Sequence, residues 1–367
     1  MRLKWHGHLD LIKVVNIRPE LEYLSCDEFP SLTLDPLWNM PFPCVQPTPQ
    51  TLEIAAINYE SPIHQVIALL NSSWGARTKR LVCEISNIFT SHEEQTSSQQ
   101  QHQFTQPLLE LEELEYKCNK YWDMETRYNL PMQMLLLPLL KQGTQLKHVD
   151  IRLFCRRRPP VFNSGLDSQA MPEYVTLSKL LHLRHLCIHE CNSYYPESLE
   201  YLFSSMVLEH TPLQSFEYMV TRYYSDVLCF ESLVKVPTIR HVTLYAFQPT
   251  YMDCSTVASF VKSLRLSPSI DSLHFKSGSE FPYERVFKYL SDNMSHRIKH
   301  LTFSSVYQIS HSGLKYLIEH HPQIETLRFV DVPGTGTEDM RVIIPDLRAR
   351  GVKNVIWEMP YPINDCA

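Results

Sequence analysis

The sequence predicts an α/β repeat solenoid, with a parallel sheet on the concave face of a horseshoe and helices on its convex face. Three observations predict this. A six-residue pattern (apolar, two polar, apolar, polar, apolar) returns along most of the chain. Between its copies the apolar spacing changes from that of a strand to that of a helix. Glycine is scarce, 9 residues against 25 prolines in 367, which disfavours folds that cradle phosphates in glycine-rich loops.

The strand elements follow in chain order. Leu21, Leu24 and Cys26 form the first copy, with Tyr23 at its third position. Leu52 with Ile54, and Leu81 with Cys83, keep only the last two apolar positions; Arg80 holds the third position of the latter. Leu111, Leu114 and Tyr116 fit, as do Leu146, Val149 and Ile151. Leu183, Leu186 and Ile188 are the clearest case, followed by Leu213, Phe216 and Tyr218. Ile239, Ile270, Ile298, Ile324 and Val352 open the last five copies. First positions therefore fall at 21, 49, 78, 111, 146, 183, 213, 239, 270, 298, 324 and 352, with gaps of 26 to 37 residues. About twelve irregular repeats make a single solenoid over 1–367.

A strand alternates its side chains, so the fourth and sixth positions face inward and the third, fifth and seventh outward. Helical stripes separate the strands. Ile63, Val66, Ile67 and Leu70 form one, and Leu202, Phe203 and Met206 a second. Val257, Phe260, Val261 and Leu264 precede Pro268; Leu314, Leu317 and Ile318 precede Pro322. One such unit cannot bury its own apolar face, so the units must stack. Two insertions interrupt the array. Residues 92–107 are Gln/Ser-rich and of low complexity, which predicts a disordered loop. Residues 155–173 carry Arg156, Arg157 and Arg158 before Pro159, and read as a surface loop or a basic docking loop.

The stretch from Ile309 through Gly313, Leu314, Leu317 and Pro322 to Leu327 resembles the long, helix-containing class of leucine-rich repeats. That class includes ribonuclease-inhibitor-like arrays and the F-box substrate receptors of ubiquitin ligases. The resemblance spans roughly residues 20–360, and the spacing lies near the 20–29 residues usual for such repeats. It implies a non-enzymatic scaffold that binds a protein on the concave face, with a ubiquitin-ligase adaptor as a further partner if an F-box accompanies the array. No F-box is visible, because a repeat strand already occupies 21–26. The polar residue that usually closes the strand turn is present at Asn119 and Cys191 but replaced by Phe29, Phe154 and Phe247 elsewhere. Both ends read as unfinished, which suggests a fragment or isoform of a longer protein, or a partner covering an end. The alternative function is a structural or regulatory subunit of a stable assembly.

The candidate binding face takes its residues from the outward positions. Third positions supply Tyr23, Arg80, His148, His185, His241 and His300. Fifth positions supply His274 and Arg328, and seventh positions Arg152, His189 and Tyr245. Aromatic and arginine side chains commonly anchor protein interfaces. Early outward positions are acidic (Asp27, Glu53, Glu84, Glu113, Glu115, Asp150), which would steer a basic segment towards the first half. His185, Cys187 and His189 alternate on one strand, roughly 6.5–7 Å apart, too far for three of them to ligate one zinc, so they read as exposed polar residues of the concave face. No metal or cofactor is expected, and no catalytic motif occurs.

A net charge of -6 argues against nucleic-acid or membrane-surface partners. The sequence has no signal peptide and no apolar run of about 18 residues, so an intracellular protein, cytoplasmic or nuclear, is expected. Ten cysteines without a CxxC pair read as reduced thiols.

Overall fold

The computed structural model describes residues 2–5, 23–26, 51–57, 70–71, 78–85, 107–118, 135–153, 172–190, 196–220, 227–246, 260–277, 284–305, 309–332 and 340–358. Residues 92–106, 155–171, Phe29, Phe154, Phe247, Asn119, Cys191, Asp27, Ile63, Val66, Ile67 and Val257 lie outside them. The chain groups into two compact units, Met1–Asn192 and Ser193–Ala367.

In the first unit, strands β1 (Arg2–Trp5), β2 (Tyr23–Cys26), β3 (Thr51–Ile57), β4 (Arg80–Ile85), β5 (Glu113–Cys118), β6 (His148–Leu153) and β7 (His185–Glu190) pair in chain order, all parallel. Helices α1 (Leu137–Gln142) and α2 (Pro172–Ser178) lie between strands. In the second unit the parallel order is β8 (Ser215–Val220), β9 (His241–Ala246), β10 (Ser272–Ser277), β11 (His300–Ser304), β12 (Thr326–Val330) and β13 (Asn354–Glu358). Its helices are α3 (Pro196–Leu208), α4 (Val227–Leu233), α5 (Glu284–Asn293), α6 (His311–His320) and α7 (Met340–Ala349), and residues 260–264 are also helical. Regular alternation of strand and helix along a parallel sheet is the arrangement of a repeat protein.

Each of the twelve sequence copies is a strand. β1 is an addition: Leu3 and Trp5 stand opposite Leu24 and Cys26, the fourth and sixth positions. The pattern's first position would precede Met1, so its template could not be matched. A further difference lies at α2, whose first turn, Pro172 and Glu173, falls inside the segment read as an insertion.

Register is held by a backbone device that the pattern does not display. The carbonyl at the second position of one repeat accepts two amides from the next. Glu112 O accepts from Lys147 N and His148 N at 2.8 and 3.0 Å. Lys147 O does the same for Arg184 and His185, Gln214 O for Arg240 and His241, and Asp271 O for Lys299 and His300. Because a one-residue slip would turn every apolar side chain to the wrong face, this lock and the core specify the same register.

Inward positions carry the core. Leu114, Val149, Leu186, Tyr116, Ile151 and Ile188 are buried in the first unit. In the second, Phe275, Phe303 and Phe329 stack along adjacent strands with centroids 5.8 and 5.9 Å apart. Helices close this side: Phe287 of α5 lies 5.8 Å from Phe303, and Phe203 of α3 meets Phe216 edge-on at 4.9 Å. The helical stripes are buried as expected at Leu202, Phe203 and Met206, at Phe260, Val261 and Leu264, and at Leu314, Leu317 and Ile318. Among the described residues, no helix is long and apolar enough to cross a membrane.

Candidate functional site

With helices packed on the inward positions, the functional candidates are the outward positions of the sheet. Parallel register sets these in rows, with neighbouring strands ~4.8 Å apart. Third positions align with third, fifth with fifth and seventh with seventh.

In the first unit, Tyr23 and Arg80 hold third positions on β2 and β4, and Arg80 is exposed. His148 and His185 are exposed neighbours in that row, with ring centroids 5.7 Å apart. The carboxylates are locally matched. Arg80 reaches Glu113 at 3.5 Å and Glu115 at 3.4 Å, and Lys117 holds Glu115 at 2.6 Å. Arg152 grips Asp150 with both Nε (3.0 Å to each oxygen) and a terminal nitrogen (2.6 Å). Asp150 is only 6% exposed, and its hydrogen bonds raise the Arg152 pKa further above its ordinary value. This corrects the expectation of an acidic steering surface at these three carboxylates: Arg80 reaches Glu113 and Glu115 across the strands, and Lys117 and Arg152 reach Glu115 and Asp150 from two residues along the same strand, so little net field remains.

A second correction concerns β7. Of the three residues read as exposed there, only His185 is open. Cys187 and His189 are 8% and 2% exposed, and in register they face Asp150 and Arg152, whose ion pair lies alongside them. His189 is therefore not an open contact residue. Cys83, on the inward side of β4, is a buried free thiol whose pKa burial pushes up to about 12, which leaves it inert.

In the second unit the residues converge. His274, at the centre of β10, is mostly buried. Its Nε2 pairs with the Ser304 hydroxyl of β11 at 2.6 Å, and its Nδ1 faces the Thr243 hydroxyl of β9 at 3.5 Å. Burial pushes its pKa down to about 4; Lys276 and Arg328 push the same way, and Glu217 opposes them. The imidazole is thus neutral near pH 7, with one ring nitrogen donating and one accepting. A serine beside a histidine is the beginning of a nucleophilic site, but here Nδ1 meets a threonine rather than an orienting carboxylate, so the geometry is that of a structural bridge across three strands.

Around it, Lys276 lies 5.3 Å from the Tyr245 ring and 3.8 Å from Glu217. Arg328 meets Glu358 of β13 at 2.8 Å, with both side chains about half exposed. His241 is exposed and His300 half-exposed, in the third-position row. The sequence reading thus found His241, Tyr245, His274, His300 and Arg328, which share one sheet face. It omitted Lys276, Thr243 and Ser304 from the site. The signal available for them was the column: stacking the fifth and seventh positions of three successive repeats brings them beside His274.

No protein-family model matches this sequence and no curated protein matches it, so the repeat architecture rests on its strand register and helix packing.

Proposed function

We propose that this chain is a leucine-rich-repeat scaffold of the ribonuclease-inhibitor-like and F-box type, non-enzymatic, which holds a protein target on the open face of its sheet. The observation that carries the reading is the alternation of burial along single strands. On β12, Leu327 and Phe329 are fully buried while Arg328 between them is exposed. On β11, Leu301 and Phe303 are buried while His300 and Thr302 are partly open. One side of the sheet is used for stability and the other is left with arginine, lysine, tyrosine and imidazole groups, the composition of a contact surface. Substrate recognition within a ubiquitin ligase is the specific role that the Gly313–Leu314 repeat pattern supports.

Affinity capture from cells, using wild-type chain and a His241→Ala/His300→Ala/Arg328→Ala variant, tests the reading. Loss of a co-purifying protein in the variant is the expected result. An identical partner set from both proteins rejects an open-face scaffold. Ligase adaptor and cullin subunits among the captured proteins would support the receptor role.

The alternative, a structural subunit of a stable assembly, is favoured by different residues. Leu208 and Leu266 are 78% and 69% exposed at the ends of helical segments, away from the open face. A single stoichiometric partner that survives the open-face substitutions would support that alternative.

A further inference from the structure

We infer that the open face of the second unit takes a peptide segment rich in aspartate and glutamate, bound across strands β9 to β12 with Lys276 and Arg328 as its anchors. The inference rests on the open-face scaffold reading and specifies the chemistry of the partner.

Three observations carry it. First, the third, fifth and seventh positions of these four strands contain no carboxylate. Eleven of the twelve positions bear a hydroxyl, imidazole, ammonium or guanidinium group, and the twelfth is Val330. A solvated face of a protein with 40 acidic residues against 34 basic ones would ordinarily mix both signs. Here the charged side chains on these positions, Lys276 and Arg328, are donors only, and the hydroxyls and imidazoles around them can donate as well, which matches an acceptor-rich ligand.

Second, the two cations already show what they accept. Glu358 reaches Arg328 from β13, and Glu217 reaches Lys276 from β8, the strands that flank the patch on either side. These carboxylates mark where carboxylates of an incoming segment would sit. The Arg328–Glu358 pair is about half exposed and the Lys276–Glu217 pair partly so, and pairs in contact with solvent are weak enough to exchange partners.

Third, the residue at the centre of the patch carries no charge that offsets its cations. His274 sits between Thr243 and Ser304 and is kept neutral first by its burial, against the pull of Glu217, with Lys276 and Arg328 adding to the effect. Strands β9 to β12 thus carry two cations whose carboxylate partners come from the flanking strands, whereas in the first unit Lys117 and Arg152 each hold an acid of their own strand. Arginine accepts a carboxylate through a planar fork, so Arg328 would set orientation while Lys276 contributes charge.

The test is to pan a randomised 12-residue peptide phage library on the full chain and on a Lys276→Gln/Arg328→Gln variant, with circular dichroism confirming that the variant melts like the wild type. Should the variant fail to fold, Arg328→Lys alone serves, because it keeps the charge and removes the fork. The expected result is enrichment of Asp and Glu in peptides retained by the wild type, and at least tenfold weaker binding of a selected peptide to the variant. Binding should weaken severalfold between 50 and 200 mM salt. Selection of apolar or basic peptides, or acidic peptides bound equally by both proteins, overturns the inference. So does equal binding of the same face to double-stranded DNA, which would make it a general polyanion surface, or binding that requires phosphoserine in place of Asp and Glu. Peptides of other chemistry that are lost on His241→Ala/His300→Ala leave the scaffold reading standing while this inference fails. If no retained peptide responds to any open-face substitution, both fail together.

Discussion

Two single residues show how narrowly the repeats are fitted. Gly313 opens the α6 helix beneath the Ser310 cap, whose hydroxyl accepts from its amide at 3.0 Å. A Cβ at this position would lie 2.7 Å from Phe287 Cδ2 and 2.9 Å from Phe287 Cβ. The constraint is close approach of one helix to its neighbour rather than backbone dihedral. Gly313→Ala should therefore cost about 1–3 kcal/mol in urea denaturation, despite alanine's better helix propensity. Phe287→Leu in the same chain should recover part of that loss; a purely additive double mutant would show that the clash is not the cause. The Asp150–Arg152 pair makes the opposite case, of a charge that needs its partner. Removing Arg152 leaves a carboxylate that is 6% exposed with its fork of donors gone. Arg152→Ala should destabilise by about 1–3 kcal/mol, the figure reduced because Arg152 itself is partly solvated. Asp150→Asn in the Arg152→Ala background should relieve most of the cost, which a urea titration of the double variant measures.

At the scale of the element, the aromatic ladder of the second unit decides how strands adhere. Phe303 stacks between Phe275 and Phe329 and also meets Phe287 from the helix layer. Each such aromatic pair contributes about 0.5–1.5 kcal/mol beyond area burial. Phe303→Ala should cost about 3–5 kcal/mol, more than Leu301→Ala on the same strand at about 2–5 kcal/mol, because a central ring loses three aromatic partners. Hydrogen exchange on β10, β11 and β12 would report whether the loss spreads to both neighbours, as a stack requires; protection lost on β11 alone would argue against the ladder. The strand exits follow a second rule. Ser305 and Asp331, both at the eighth position, adopt positive φ of 54° and 55°, and each donates its amide to the next strand's last carbonyl position at 2.9 and 2.8 Å. That left-handed step turns the chain out of the sheet without a glycine, a place where the small polar side chains Ser and Asp cost little.

For the whole molecule, the buried histidines set a pH response. His274 is lowered to about 4, and His321, which donates Nε2–H to the Ser291 carbonyl at 2.8 Å, is also lowered, first by burial. Both groups take up protons in the unfolded chain near 6.5 and resist them in the folded one. The unfolded state then binds more protons as pH falls, so stability is full above about 6.5 and declines towards 4. His274 contributes up to about 3 kcal/mol across that window, at 1.36 kcal/mol for each unit. The urea midpoint should fall between pH 7 and pH 5, and a His274→Asn/His321→Asn double variant should show a flatter profile. An unchanged slope in that variant would assign the response to other groups.

Much of this architecture was legible in the sequence, because its signal is repetition of a local pattern. Apolar fourth and sixth positions, with helical stripes such as Leu314, Leu317 and Ile318, state the strand, the helix and the face each buries. Twelve of the strands could be placed from that alone, and the outward residues Tyr245, His274 and Arg328 follow from alternation. What alternation cannot convey is the neighbour across the ladder. Whether Glu115 is a steering charge or a partner of Arg80, whether His189 is open or covered, and whether His274 is a contact or a bridge between Thr243 and Ser304 depend on residues some 30 positions away in sequence. Periodicity fixes the direction of a side chain through local backbone geometry, whereas its charge state, burial and partners are set by interactions that only stacking of the repeats brings within a few ångströms.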